Sequence, residues 1–177
     1  RTFTIEKHTN PYEFLKRIAN EFAMRELPVG LPKIMVSTVA SGDTSSYVDC
    51  SDVVLFPSVT DIAGLNRISR RVLGNAANAL LGALTGPQAA GESKPAGALS
   101  MFGVTTPCVT AIRDQLESHY DALVFHATGT GGRAMEKLVG DGLVSAVPDL
   151  TTNELCDLIA GGVMSAGPQR LHVIART

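Results

Sequence analysis

ALVFHATGTGGRAM, Ala122 to Met135, is the stretch that decides the fold. A hydrophobic strand runs straight into a glycine loop, and the loop opens a helix. Glycines at such a turn permit positive φ and let the backbone approach a partner closely. The free N–H groups at the helix start, aligned with its dipole, favour a phosphate or a carboxylate. Thr128, Gly129, Thr130, Gly131 and Gly132 are therefore candidate ligand-binding residues, the two threonines adding hydroxyl donors. Gly129-x-Gly131-x-x-Ala134 has the spacing of a dinucleotide fingerprint, and Asp149 stands 20 residues beyond Gly129, where a ribose partner is expected. The same residues also suit a plain strand-to-helix turn, and Asp149 also suits a helix entry. A P-loop is excluded, because no Gly-x-x-x-x-Gly-Lys-Ser/Thr occurs.

Outward from this stretch, short apolar runs alternate with longer amphipathic ones. Lys33 to Thr38, Asp52 to Phe56, Ala98 to Phe102, Ala122 to Phe125 and Leu143 to Val147 read as strands of the kind buried on both faces of a parallel sheet. Helices are expected from Tyr12 to Leu27 and from Asn66 to Leu84, the latter packing through Ile68, Val72, Ala76, Ala79 and Ala83. Thr106-Pro107 opens another, and Thr151 with Glu154 spells a capping box before a last one. The order predicts an α/β fold: a mostly parallel sheet flanked by helices, Rossmann-like and incomplete. Thr85 to Ala96 reads as a linker. It separates residues 1–84 from 97–177, and with two strands before it and three strand–helix pairs after it the chain reads as a fragment of something larger.

Composition narrows the function. Of 177 residues, 15 are Lys or Arg and 17 are Asp or Glu, a net charge of −2, so binding of nucleic acid through bulk charge is not expected. Residues 72–91 and 95–112 carry no charge, but asparagines interrupt the first and Pro95, Gly97, Gly103 and Pro107 the second. Neither offers about 20 predominantly apolar residues, so no membrane span is expected. Arg1 to Glu6 lack a signal-peptide core, and three scattered cysteines (Cys50, Cys108, Cys156) suit neither a disulfide framework nor a zinc site. A cytoplasmic location is expected, with no bound metal held by protein ligands alone.

A second group of candidates lies in Ser37 to Thr44, which follows the first strand at the sheet edge where ligands bind. Ser37, Thr38, Ser41 and Gly42 supply hydroxyls and amides. Asp43 suits a hydrated magnesium ion, a substrate hydroxyl, or simply the cap of the next turn. His126, between strand and glycine loop, is placed for acid/base work, and Asp43 is the other candidate catalytic group. Arg67, Arg70 and Arg71 form a basic cluster suited to surface ion pairs or a phosphate. Cys108 reads as a packing residue. These residues leave open a nucleotide binder, an enzyme acting on a small carboxylated or phosphorylated metabolite, and a dimeric interaction module packed through the long helix.

Five segments together resemble one family: PKIMVSTVASGD (32–43), DIAGLNRISRRV (61–72), MFGVTTPCV (101–109), FHATGTGGRAMEKL (125–138) and GGVMSAGP (161–168). It is the uncharacterised protein family of the tomato mosaic virus resistance protein, a Tm-one-like ATP-binding family. The resemblance implies a two-domain protein about twice this length, with residues 1–84 the end of the first α/β domain plus its connecting helix and 97–177 the start of the second, ATP and magnesium as ligands, and a homo-oligomer, specifically a homodimer. The chain departs from the family pattern in residues 1–21, which lack the glycine-rich Gly-Gly-Ser-Gly-Gly-Thr loop that the family carries there.

Overall fold

Ile34–Ser37 (β1) and Val54–Pro57 (β2) pair in parallel, Ile34 opposite Val54 and Ser37 opposite Pro57. They belong to the first of two compact units, Arg1–Thr85 and Gly86–Thr177; the computed structural model describes residues 23–87 and 94–176. Most of the helix expected from Tyr12 therefore lies outside the described residues, and its described end, Ala23–Glu26, is a 3-10 turn.

In the first unit the entry to β1 is held by charge. Lys33 is buried, and its ammonium donates to the carbonyls of Pro28 (2.7 Å) and Leu31 (2.9 Å) while pairing with Asp52 Oδ1 at 2.5 Å. Burial pushes the Asp52 carboxyl up, but Lys33 and the Gly30 N–H outweigh it, so its pKa lies below the ordinary value. Beyond β1 come a 3-10 turn, Thr38–Ser41, and a one-turn helix, Ser45–Val48 (α1). Arg67–Thr85 (α2) starts where Asn66 Oδ1 accepts from the N–H groups of Ile68 and Ser69, both at 2.9 Å. Its packed stripe is Ser69, Val72, Ala76 and Leu80, whereas Ile68, Ala79 and Ala83 of the expected face are exposed. The two stripes share Val72 and Ala76, but the expected one takes Ile68 for Ser69 and Ala79 for Leu80, each one residue, or about 100°, off the buried side.

The second unit is built on Ala96–Met101 (β3), buried from Gly97 to Ser100, which pairs in parallel with Asp121–His126 (β4). Thr106–Leu116 (α3) and Thr130–Gly140 (α4) cover this pair, and Ala98, Leu99, Val109 and Met135 are fully buried between them. Burying side chains of this size contributes roughly 1.5–3 kcal/mol each. Asn153–Ala160 (α5) follows. The strand expected at Leu143 to Val147 is reduced to one parallel bridge, Gly97 with Ala146, flanked by Ser145 N–H to Ala96 O and Ala98 N–H to Ala146 O. Pro148 comes next and has no N–H with which to extend the ladder. Among the described residues the fold is thus α/β with parallel strand pairs, one two-stranded sheet in each unit. Among the described residues no helix is long and apolar enough to cross a membrane.

Candidate functional site

The glycine loop lies, as expected, between the carboxyl end of β4 and the start of α4, but two of its amides are already engaged. Glu154 Oε1 accepts from the N–H of Gly129 at 2.6 Å and of Gly132 at 3.0 Å. Gly129 has φ of +92°, and a Cβ there would sit 2.9 Å from the Ser165 carbonyl oxygen. A Cβ on Gly131 would lie 2.7 Å from the His126 carbonyl carbon, and one on Gly132 2.6 Å from Glu154 Cδ. The glycines are needed because the chain's own backbone and its own carboxylate approach this closely.

Glu154 was expected to close a capping box with Thr151, and the structure corrects this. Thr151 Oγ1 donates to the Ser100 carbonyl at 2.9 Å and lies 2.7 Å from Thr105 Oγ1, while α5 begins two residues later at Asn153. Glu154, 1% exposed, instead turns its second oxygen to Arg170 Nε at 2.8 Å. The Arg170 guanidinium also meets Asp149 Oδ2 at 2.9 Å and Glu136 Oε1 at 3.4 Å. Three carboxylates on one buried cation are tolerable only because other donors share the charge. Glu136 accepts from the N–H groups of Leu171 and Val173, and Asp149 from the Ser100 hydroxyl. Burial works to lower the Arg170 pKa, yet the hydrogen bond to Glu154 and the charge of Asp149 outweigh it, so the group is raised above its ordinary value.

Asp149, read as a ribose partner or a helix entry, thus has its carboxylate on Ser100 and Arg170. His126 is exposed at the end of β4, with its ring 5.4 Å from that of Phe102. Among the described residues no carboxylate is hydrogen-bonded to that ring. Thr130 is exposed, and the Thr128 hydroxyl turns back to the His126 carbonyl at 3.4 Å. Cys108, expected to pack, is exposed at the start of α3, because position 108 lies about 100° round the helix from the buried Val109.

The other candidates gather in the first unit, at the carboxyl ends of β1 and β2. A cleft of about 320 Å3 is lined there by Thr38, Ser41, Ser58, Val59, Thr60 and Asp61. Its floor is held by Ser58, which is buried, donates its N–H to the Ser37 carbonyl at 3.1 Å and its hydroxyl to the Thr60 carbonyl at 2.7 Å. The Thr60 N–H returns to the Ser58 carbonyl at 2.7 Å, closing a three-residue turn around Val59, whose φ is +65°. A γ-turn with positive φ is rare and strained, and for a β-branched residue costs on the order of 1–3 kcal/mol. Val59 is also 77% exposed, so burial does not repay the strain. Ser37 caps the 3-10 turn by accepting from Val39 N–H at 3.3 Å, and Gly42 closes it. Asp43 accepts from Ser45 N–H at 3.0 Å, which holds its carboxyl below the ordinary value and makes it a turn cap.

With this geometry in view, the relationships of the chain are informative. The model for the N-terminal domain of the uncharacterised protein family UPF0261 matches residues 18–89, and that for its C-terminal domain matches 94–177. The chain belongs to this family. A UPF0261 protein of Mesorhizobium japonicum is 62% identical over 154 residues, covering 87% of this chain and 39% of that protein. One from Clostridium tetani is 52% identical over 154 residues, 85% of this chain and 38% of the relative. The ToMV resistance protein Tm-1(GCR237) of Solanum lycopersicum is 48% identical over 159 residues, 86% of this chain and 21% of the plant protein. The chain therefore spans about two fifths of the length of the bacterial UPF0261 relatives. The passage between the two family domains, after residue 89 and before 94, falls close to the boundary between the compact units at Thr85 and Gly86.

Sequence reasoning missed Ser58, Val59 and Thr60, and met Asp61 only as the first residue of the segment 61–72. A signal was available: these residues follow the second strand as Ser37 to Asp43 follow the first, and adjacent parallel strands bring such loops to one edge. Nothing in the sequence marked Arg170 as the hub of the second unit.

Proposed function

We propose that this chain supplies a nucleotide-binding part of a larger two-domain UPF0261 protein, with the Thr38–Asp61 cleft as the ligand site of the first unit. One observation carries the reading: four hydroxyl-bearing residues and one aspartate line a cleft at the carboxyl edge of a parallel strand pair, beside a turn held in a strained conformation. Hydroxyls with a carboxylate fit the hydroxyl groups of a ribose and the hard, hydrated shell of magnesium. No Lys or Arg lines the cleft, so it fits a phosphate poorly except together with its cation. ATP with magnesium is the ligand that the family resemblance implies. The fit fails at the glycine loop, where Glu154 already holds the Gly129 and Gly132 amides.

Calorimetric titration of the folded chain with ATP and magnesium, with NAD as comparator, tests this. Saturable ATP binding is expected, weakened about tenfold in Asp61→Asn, the loss of one hydrogen bond to a charged group. Unchanged affinity in that variant would remove the cleft as the site, and no binding by folded wild type would remove the nucleotide reading.

A second reading, self-association, is favoured by α2. From Val72 to Thr85 the helix has no charge, yet Leu73, Leu81 and Leu84 are exposed. An uncharged helix exposed over most of its surface is a contact face. Arg67, Arg70 and Arg71 crowd its N-terminus, where cations oppose the dipole; an antiparallel second copy would set them against its carbonyl end. Sedimentation equilibrium should show a dimer that Leu81→Glu converts to monomer, and a wild-type monomer at every concentration would end this reading.

A further inference from the structure

We propose that the Gly129–Gly132 loop is a carboxylate receptor whose ligand is the chain's own Glu154, so that an outside anion reaches it only in competition with that side chain. The donor set is that of an anion site. Two backbone N–H groups converge on one oxygen at 2.6 and 3.0 Å, the Arg170 guanidinium binds the other at 2.8 Å, and the 11-residue helix α4 aims its positive end at the group. Glu154 uses two features that make such a loop attractive to phosphate: the amides of Gly129 and Gly132, and the close approach that glycine permits at position 132.

The competition strongly favours the resident group. Glu154 is on the same chain, which gives it an effective concentration on the order of millimolar or more, and it is already desolvated at 1% exposure. A competitor has to satisfy both amides and the guanidinium at once, because Arg170 is itself 2% exposed and its remaining partners are Asp149 and Glu136. Small carboxylates and phosphate monoesters have the required paired oxygens. Occupation by Glu154 also ties α5 and the segment carrying Ser165 and Arg170 to the β4–α4 turn, so the receptor doubles as a clasp on residues 149–173.

The test is rescue. Glu154→Ala removes the carboxylate and leaves room for a one-carbon replacement between the same donors. Thermal unfolding of the 177-residue chain is followed by circular dichroism in sodium formate and in sodium chloride of equal ionic strength. Formate should raise the melting temperature of Glu154→Ala saturably relative to chloride and leave wild type unmoved. Glu154→Gln, which keeps the space filled, should not respond to formate. Absence of a formate-specific rise in folded Glu154→Ala overturns the proposal. Should Glu154→Ala fail to fold in either salt, amide NMR of wild type decides. With inorganic phosphate added, unmoved Gly129 and Gly132 signals support the proposal, and saturable shifts of both overturn it.

Discussion

Replacing Gly132 by alanine adds one methyl group to the first turn of α4, and on helix propensity alone that gains about 1 kcal/mol. Here the new Cβ would sit 2.6 Å from Glu154 Cδ and closer still to its oxygens. The carboxylate has no free side to retreat to, since Arg170 and the Gly129 amide hold it and the residue is 1% exposed. Expelling it forfeits the hydrogen bonds from Gly129 and Gly132, roughly 1.5–3 kcal/mol each for a charged acceptor. Less the propensity gain, the net loss is about 2–5 kcal/mol. Domain stabilities are about 5–15 kcal/mol, so the second unit would lose a large share of its own. At about 4–8 °C per kcal/mol for a unit of this size, its melting temperature should fall by at least about 8 °C. Urea and thermal unfolding by circular dichroism would measure it, with Gly140→Ala as the control. Gly140 closes the same helix, where a Cβ would make only an ordinary 3.5 Å contact with Val173, and its replacement should be neutral or stabilising by up to about 1 kcal/mol. A Gly132→Ala protein within about 0.5 kcal/mol of wild type would show that Glu154 does not depend on this loop and would refute the reasoning.

Three further outcomes are expected. Arg170→Met leaves Asp149, Glu136 and Glu154 buried without their cation and should cost about 3–5 kcal/mol in urea unfolding. Val59→Gly relieves the positive φ and should raise stability by about 1 kcal/mol; a loss would mean that Val59 packs in a way its exposure does not reveal. Asp52 has a depressed folded pKa, so its contribution is present above the unfolded value of 3.8 and is lost as pH falls through the lower folded value. Asp52→Asn should therefore be less stable than wild type at neutral pH, with the gap closing in acid; a gap that widens in acid would contradict the Lys33 pairing.

The sequence by itself determined the local elements whose physics is local. Asn66 is a good N-cap, Pro107 suits a first helical turn, and the runs IMVS and ALVF are strands because β-branched and apolar residues fit a covered parallel sheet. The turn from β4 into α4 was equally legible from the glycines of ATGTGG. What that turn serves was not. Glu154, 22 residues beyond Gly132, obeys a capping-box spacing with Thr151, and local spacing cannot show that Thr151 is drawn away to Ser100 while Glu154 reaches back to the loop. Arg170 is a lone basic residue in sequence, and only the return of the chain beside α4 and α5 sets it against three carboxylates. The cleft of the first unit likewise needed the register of β1 with β2 to bring Thr38 and Ser41 beside Ser58 and Asp61. Local propensity depends on neighbours along the chain, whereas the occupant of an anion site depends on which charge the fold carries there, and that is decided by tertiary packing alone.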